Sequence, residues 1–146
     1  MKKFFMLIFF FAFAASVYAV GDDERVIDAA QLPEKAKQTL ATYFINDEVS
    51  IATCDKEWFG ASYDVRLKSG ATLEFDKDGE WLEIDCAPKA VPVGLIPEAI
   101  VSDAKQRFED AHIVKIERDR RGYDVELSNR VDLEYNLQFR LVGFDD

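Results

Sequence analysis

The stretch Tyr63-Asp64-Val65-Arg66-Leu67 decides the fold, because it returns 60 residues later as Tyr123-Asp124-Val125-Glu126-Leu127. Apolar and charged side chains alternate in both copies, and a period of two indicates a strand with one buried and one solvated face. The next segment recurs at the same offset, as Leu73-Glu74-Phe75 and Leu133-Glu134-Tyr135. The sequence therefore contains an internal repeat.

Each copy begins with a helical pattern. Leu32-Pro33-Glu34 returns as Ile96-Pro97-Glu98, and apolar residues then recur every fourth position as far as Phe44 and Phe108. Proline suits the first helical turn, and the following glutamate suits the positive end of the helix dipole. We therefore expect an α+β fold of two tandem repeats, about 31–86 and 95–146, joined by a linker at 87–94. Each repeat would be a helix followed by a four-stranded antiparallel meander, with the helices packed on one face of the sheet.

The first residues predict export. Lys2 and Lys3 precede a short apolar run, and the small-residue pattern Ser16-Val17-Tyr18-Ala19 suits signal peptidase. The apolar run is shorter than the roughly 20 residues that span a bilayer. We predict a cleaved signal peptide at 1–19 and a domain at 20–146, located in the periplasm or secreted, without membrane insertion after cleavage.

The charge balance narrows the choice of partner. The chain carries a net charge of −10, which becomes −12 when the leader takes its two lysines with it. This balance disfavours nucleic acid and anionic membranes, which are themselves negative. It suits a basic protein surface, although a solvated acidic exterior is the commoner explanation.

The whole predicted mature chain resembles the exported PepSY-like proteins, a family described as β-lactamase-inhibitor-like. The matching motifs are structural: Gln31-Leu32-Pro33, Tyr43-Phe44, Tyr63-Asp64-Val65, Leu73-Glu74-Phe75-Asp76, Gly79-Glu80-Trp81 and Ile96-Pro97. The resemblance implies a comparison with a secreted inhibitor that grips its enzyme with an open sheet face, or with domains that restrain peptidases. It implies no catalytic motif. The second copy departs from the pattern, with Asn136-Leu137-Gln138-Phe139 in place of Asp76-Lys77-Asp78-Gly79, so we expect its last hairpin to be built differently.

Catalytic and metal-binding patterns are weak. The single histidine, His112, has no identifiable nucleophile beside it in the sequence, and two cysteines with one histidine match no zinc pattern. The Asp76–Glu80 segment resembles the start of a calcium loop, but it joins two predicted strands and is better explained as a β-turn. We predict a non-enzymatic protein with no cofactor and no metal.

Cys54 and Cys86 leave one question open. Two cysteines in an exported protein invite a disulfide. The predicted strand order argues against one, because it separates the two strands by roughly 14 Å. A bond between these cysteines would show that the strand order is wrong.

The open face of the sheet is the predicted binding surface. Trp58 and Phe59 lie in a loop that only the first copy has. They either contact a partner or fold back over the edge of the core, and we favour the second interpretation. Trp81 joins the open face unless a bulge shifts the alternation. The other candidates follow from the strand pattern: Asp64, Arg66, Glu74, Asp124, Glu126 and Glu134.

We therefore expect an exported, non-enzymatic binding module that uses this acidic face, with inhibition of a protein or peptidase as one form of its function. Its partner would be another exported protein. The alternative is a periplasmic protein that binds a small molecule or a cation, as in an envelope-stress response.

Overall fold

A computed structural model describes residues 24–57 and 60–146. The predicted signal peptide, Trp58 and Phe59 lie outside these residues. Two α-helices and nine strands make up the described part, with single 3₁₀ turns at Ala29–Gln31 and Val93–Leu95. In chain order the elements are β1 (Glu24–Ile27), α1 (Glu34–Tyr43), β2 (Val49–Glu57), β3 (Gly60–Leu67), β4 (Thr72–Phe75), β5 (Trp81–Asp85), α2 (Glu98–Arg107), β6 (Ile113–Arg118), β7 (Gly122–Leu127), β8 (Asp132–Asn136) and β9 (Leu141–Asp145).

The strands form one antiparallel sheet in sequence order, from β1 at one edge to β9 at the other. The expectation of two tandem helix-plus-four-strand repeats is therefore wrong. The sheet begins with a strand, β1, that was not predicted, and β5 pairs directly with β6, so that Ile84 lies opposite Ile116. The molecule remains α+β, but it is mostly sheet.

Main-chain hydrogen bonds from Cys86 and Val91, between the two halves, join the halves into one sheet. Val91 is buried, and the Val91 amide donates a hydrogen bond to the Ile113 carbonyl at 2.8 Å. The Cys86 amide donates to Val114 O at 2.9 Å, which extends the β5–β6 pairing. The alternation of side chains carries no information about this pairing, because it describes each strand separately.

One apolar cluster joins the sheet to both helices. Ala36 of α1 and Ile100 and Ala104 of α2 belong to the same buried cluster as Leu73 and Val125 of the sheet. The charged residues that alternate with this apolar set lie on the other side of the sheet. Neither helix in the described ranges is long and apolar enough to cross a membrane.

The last hairpin contradicts a second expectation. In the β4–β5 turn, Asp76 N donates to Glu80 O and Gly79 N donates to Asp76 O; in the β8–β9 turn, Asn136 N donates to Arg140 O and Phe139 N donates to Asn136 O. The two turns therefore have the same backbone hydrogen bonds. Phe139 adopts the left-handed conformation (φ 60°) that Gly79 has in the first turn (φ 82°), a strained choice for an aromatic residue.

Candidate functional site

Six carboxylates form a line across the solvent face of the sheet. They lie on six consecutive strands, β3 to β8, and each is the direct cross-strand partner of the next. We call this line the carboxylate ladder: Asp64, Glu74, Glu83, Glu117, Asp124 and Glu134. At about 4.8 Å between strands, it extends roughly 24 Å across the sheet.

The ladder follows from the buried residues beside it. Val65, Ile116 and Leu133 are buried in the core, and in a strand the next side chain along must point to the opposite face. Two ladder members, Glu83 and Glu117, were missing from the sequence prediction. The signal for Glu117 was present, because Lys115 and Glu117 alternate with two buried residues. What was lacking was the β5–β6 register that sets Glu83 opposite Glu117.

Like charges directly opposite each other destabilise a sheet, and protonation relieves the repulsion. Burial first, then the carboxylates of Asp64 and Glu83, raise the pKa of Glu74 to about 7. Burial, followed by neighbouring carboxylates, also raises the pKa of Asp64 above its usual range. The same causes raise the pKa of Glu117 and of Asp124. Part of the ladder thus carries protons near neutral pH.

A second row of side chains runs beside the ladder and contains cations. Lys115 lies opposite Asp85 and Glu126, and its Nζ is 3.2 Å from Glu83 Oε1. Arg66 occupies the same row on β3, opposite Thr72. The row ends with Asp132 opposite Asp145. The face is therefore acidic overall, with its cations in the row next to the ladder.

The structure brings together six of the predicted candidates. Asp64, Glu74, Asp124 and Glu134 lie in the ladder, and Arg66 and Glu126 lie in the neighbouring row. Trp58 and Phe59 fall outside the described residues, so their roles stay predictions.

Trp81 lies on the core side of the sheet, with 8% of its surface exposed. A register shift in β5 pairs Phe75 with Trp81 but Glu74 with Glu83, which leaves Leu82 as the extra residue of a bulge. The guanidinium of Arg118 lies 4.4 Å from the Trp81 ring centroid, and Arg118 Nε donates to Trp81 O. Trp81 thus packs in the core and is not part of the acidic face.

The remaining chemical candidates have local structural roles. Asp76 Oδ1 accepts hydrogen bonds from the amides of Asp78 and Glu80, both at 2.9 Å, as in an ordinary Asx-stabilised turn. His112 is exposed, with Nε2 3.1 Å from Pro88 O. Cys54 and Cys86 are both buried free thiols. Among the described residues, no group of three or more His, Cys, Asp or Glu side chains is arranged to hold a metal ion.

The chain is similar to a known protein family and to solved structures of periplasmic proteins. Residues 61–143 match the model of the family described as "Putative beta-lactamase-inhibitor-like, PepSY-like". A crystal structure described as a "putative periplasmic protein from DUF2874 family" from Bacteroides vulgatus is similar, with a TM-score of 0.83 and 38% identity, covering 87% of this chain and 100% of that one.

Two further matches cover different shares of this chain. A "putative calcium-regulated periplasmic protein" from Bacteroides thetaiotaomicron has a TM-score of 0.82 and 38% identity over 86% of this chain and 98% of that one. A curated protein of Mesorhizobium japonicum, named "Putative phosphoribosylaminoimidazole-succinocarboxamide synthase 2", is 32% identical over 74 residues, which are 49% of this chain. The match spans about a quarter (24%) of that curated protein's length.

Proposed function

The chain belongs to the PepSY-like, β-lactamase-inhibitor-like family, and on that premise we propose that it is a periplasmic binding module whose carboxylate ladder docks a basic surface of another exported protein. We further propose that it inhibits this partner, for which a peptidase is one candidate. The family description "beta-lactamase-inhibitor-like" supports inhibition. Because one fold hosts many functions, the acidic face itself is what supports this proposal.

The single observation that carries the proposal is the register of the ladder. Five successive cross-strand pairs set acid against acid, from Asp64 on β3 to Glu134 on β8. Such an arrangement works against the stability of the free sheet. A partner that brings lysine or arginine side chains to the ladder would relieve the repulsion. It would also be steered to the face by the negative potential.

The dimensions suit a protein rather than a small ligand. The eight spacings of about 4.8 Å between nine strands make the sheet about 38 Å wide, and strands about 17 Å long give a face of roughly 650 Å². A standard protein interface buries about 800 Å² on each partner, so the whole face and its rim would be used. The ladder lies on an open sheet surface, which suits contact with another protein surface.

Carbodiimide cross-linking in the exporting cell tests the proposal, because this reagent joins a carboxylate directly to a lysine in contact with it. We expect mass spectrometry to find one dominant partner joined to Glu74, Glu117 or Asp124. The Glu74→Gln, Glu117→Gln variant should reduce this capture about tenfold. The matched control is Glu109→Gln, Asp110→Asn, which also removes two carboxyl groups, from exposed positions after α2. Equal loss in both variants, or cross-links that avoid the ladder, would refute the proposal.

A cation is the second candidate ligand of the same face. The description of the Bacteroides thetaiotaomicron relative as calcium-regulated favours this ligand, and so does the carboxylate ladder. Thermal unfolding with calcium chloride, compared with sodium chloride at equal ionic strength, separates the two functions. A calcium-specific rise in melting temperature that Glu74→Gln, Glu117→Gln abolishes would favour the cation.

A further inference from the structure

The β9 edge of the sheet exposes apolar surface that its counterpart inside the sheet buries. Phe144 lies opposite Leu133 of β8, as Ile84 lies opposite Leu73 of β4. Ile84 is fully buried (0% exposed), whereas Phe144 is 61% exposed. The difference arises because β6 covers the free side of β5 and no described strand covers β9.

The two hairpins are close structural equivalents. They share the turn hydrogen bonds described above, and both strands then contain a register shift of one residue, at Leu82 in β5 and Val142 in β9. Bulges commonly protect sheet edges by twisting them away from other chains. The β5 bulge does not prevent pairing, because β6 pairs with Glu83, Ile84 and Asp85 just beyond it. The β9 bulge therefore leaves Gly143, Phe144 and Asp145 competent to pair.

β6 shows which kind of strand fits such an edge. It sets an apolar residue, Ile116, against Ile84 and a cation, Lys115, against Asp85. The Lys115 ammonium also reaches Glu83 Oε1 at 3.2 Å. Main-chain hydrogen bonds supply affinity in this mode of recognition, and alternate side chains supply specificity.

The β9 edge presents an apolar residue flanked by carboxylates, as the β5 edge does toward β6. Asp145 holds the position of Asp85, and Asp132 lies beside it on β8. A side chain is missing at Gly143, the position of Glu83. Its place is taken by Glu134, whose Oε2 occupies the space that a Cβ on Gly143 would need. A lysine or arginine opposite Asp145 would therefore meet a carboxylate in the position where Lys115 meets Glu83.

We propose that β9 accepts an extended segment of a partner protein as a tenth, antiparallel strand, with an apolar side chain opposite Phe144 and a lysine or arginine opposite Asp145. The inference does not depend on the proposed function of the ladder, because it rests on the main-chain edge of β9, which no described strand covers. Charge disfavours a second copy as the occupant. Two β9 strands paired about Phe144 would bring Asp145 of each copy beside Gly143 and Glu134 of the other.

The test uses a fluorescent peptide with the sequence of residues 111–119, which contains β6, titrated into the purified protein and followed by anisotropy and amide NMR. We expect saturable binding that weakens with salt, with shifts and exchange protection centred on the Phe144 amide. Leu127 N donates to Val131 O, and the alternation of hydrogen-bonded pairs from there across β7, β8 and β9 leaves the Phe144 amide pointing away from β8. Phe144→Pro removes this outward donor and should weaken binding about tenfold or more. Val26→Lys, at the exposed opposite edge, is the matched control and should bind normally.

A second probe removes any dependence on the folding of a variant. The same peptide N-methylated at the residue equivalent to Ile116 cannot donate the pairing hydrogen bond, and a version with glutamate at the position of Lys115 reverses the charge. Both should bind about tenfold more weakly. The proposal is overturned if the unmodified peptide does not bind, if N-methylation has no effect, or if the NMR shifts map to β1. It is also overturned if sedimentation shows a dimer that Phe144→Pro dissociates, since the occupant would then be a second copy.

Discussion

Glu74→Gln should stabilise the protein at alkaline pH and have little effect in acid. The folded-state pKa of Glu74 is about 7 against an ordinary value of 4.5, because burial and two carboxylate neighbours disfavour its charge. Below pH 4.5 the group is protonated in both states and has no effect on stability. Between pH 4.5 and 7 only the unfolded chain loses the proton, so the free energy of unfolding falls as pH rises.

The size of the effect follows from the same shift. Its full value corresponds to about 3 kcal/mol, and we expect about 1–2 kcal/mol because the Glu74 side chain is only half-buried and partly screened by solvent. Carboxylates with lowered pKa values, such as Glu80 and Asp103, change protonation below this range and so do not obscure it. The wild-type protein should therefore be less stable at pH 8 than at pH 5.

Urea unfolding at pH 5 and pH 8, followed by circular dichroism, measures the effect. Glu74→Gln should narrow the difference between the two pH values by about 1–2 kcal/mol. Glu109→Gln, an exposed control, should leave the difference unchanged. The reasoning about the ladder is refuted if the wild-type stability does not fall between pH 5 and pH 8, or if the substitution shifts both values equally.

Three further predictions concern the scaffold. Gly79→Ala should destabilise the protein by about 2–4 kcal/mol, because its Cβ would lie 2.8–2.9 Å from atoms of the α1 N-terminus. Phe139→Gly in the equivalent turn should change the stability by less than about 1 kcal/mol, and urea unfolding measures both variants. Tyr135→Phe removes the 2.9 Å hydrogen bond to Asp103, so it should cost about 1–2 kcal/mol at pH 7 and less once acid protonates that carboxylate. Both cysteines should resist iodoacetamide in the native protein and react after unfolding without a reductant, because they are buried free thiols, and mass spectrometry would reveal any disulfide as missing label.

The two helices and strands β2 to β9 could be predicted from the sequence, whereas β1 could not. Tyr63, Val65 and Leu67 alternate with polar residues, and a strand of this pattern must separate its two faces whatever its neighbours are. The helices beginning at Glu34 and Glu98 follow in the same way from proline and four-residue apolar spacing. These signals are readable because they depend only on the geometry of one chain segment. The leader at 1–19 stays a prediction, because it lies outside the described residues.

The tertiary structure alone decided which strands are neighbours. Pairing of β5 with β6 sets Glu83 opposite Glu117 and makes two halves of the ladder into one, and no periodicity along the chain encodes that contact. The bulge in β5 likewise turns Trp81 into the core while Glu83 faces solvent. Both outcomes depend on burying one shared apolar face, which is a property of the whole sheet. The alternation predicts that an acidic face exists, whereas the long-range register makes it a continuous line of carboxylates.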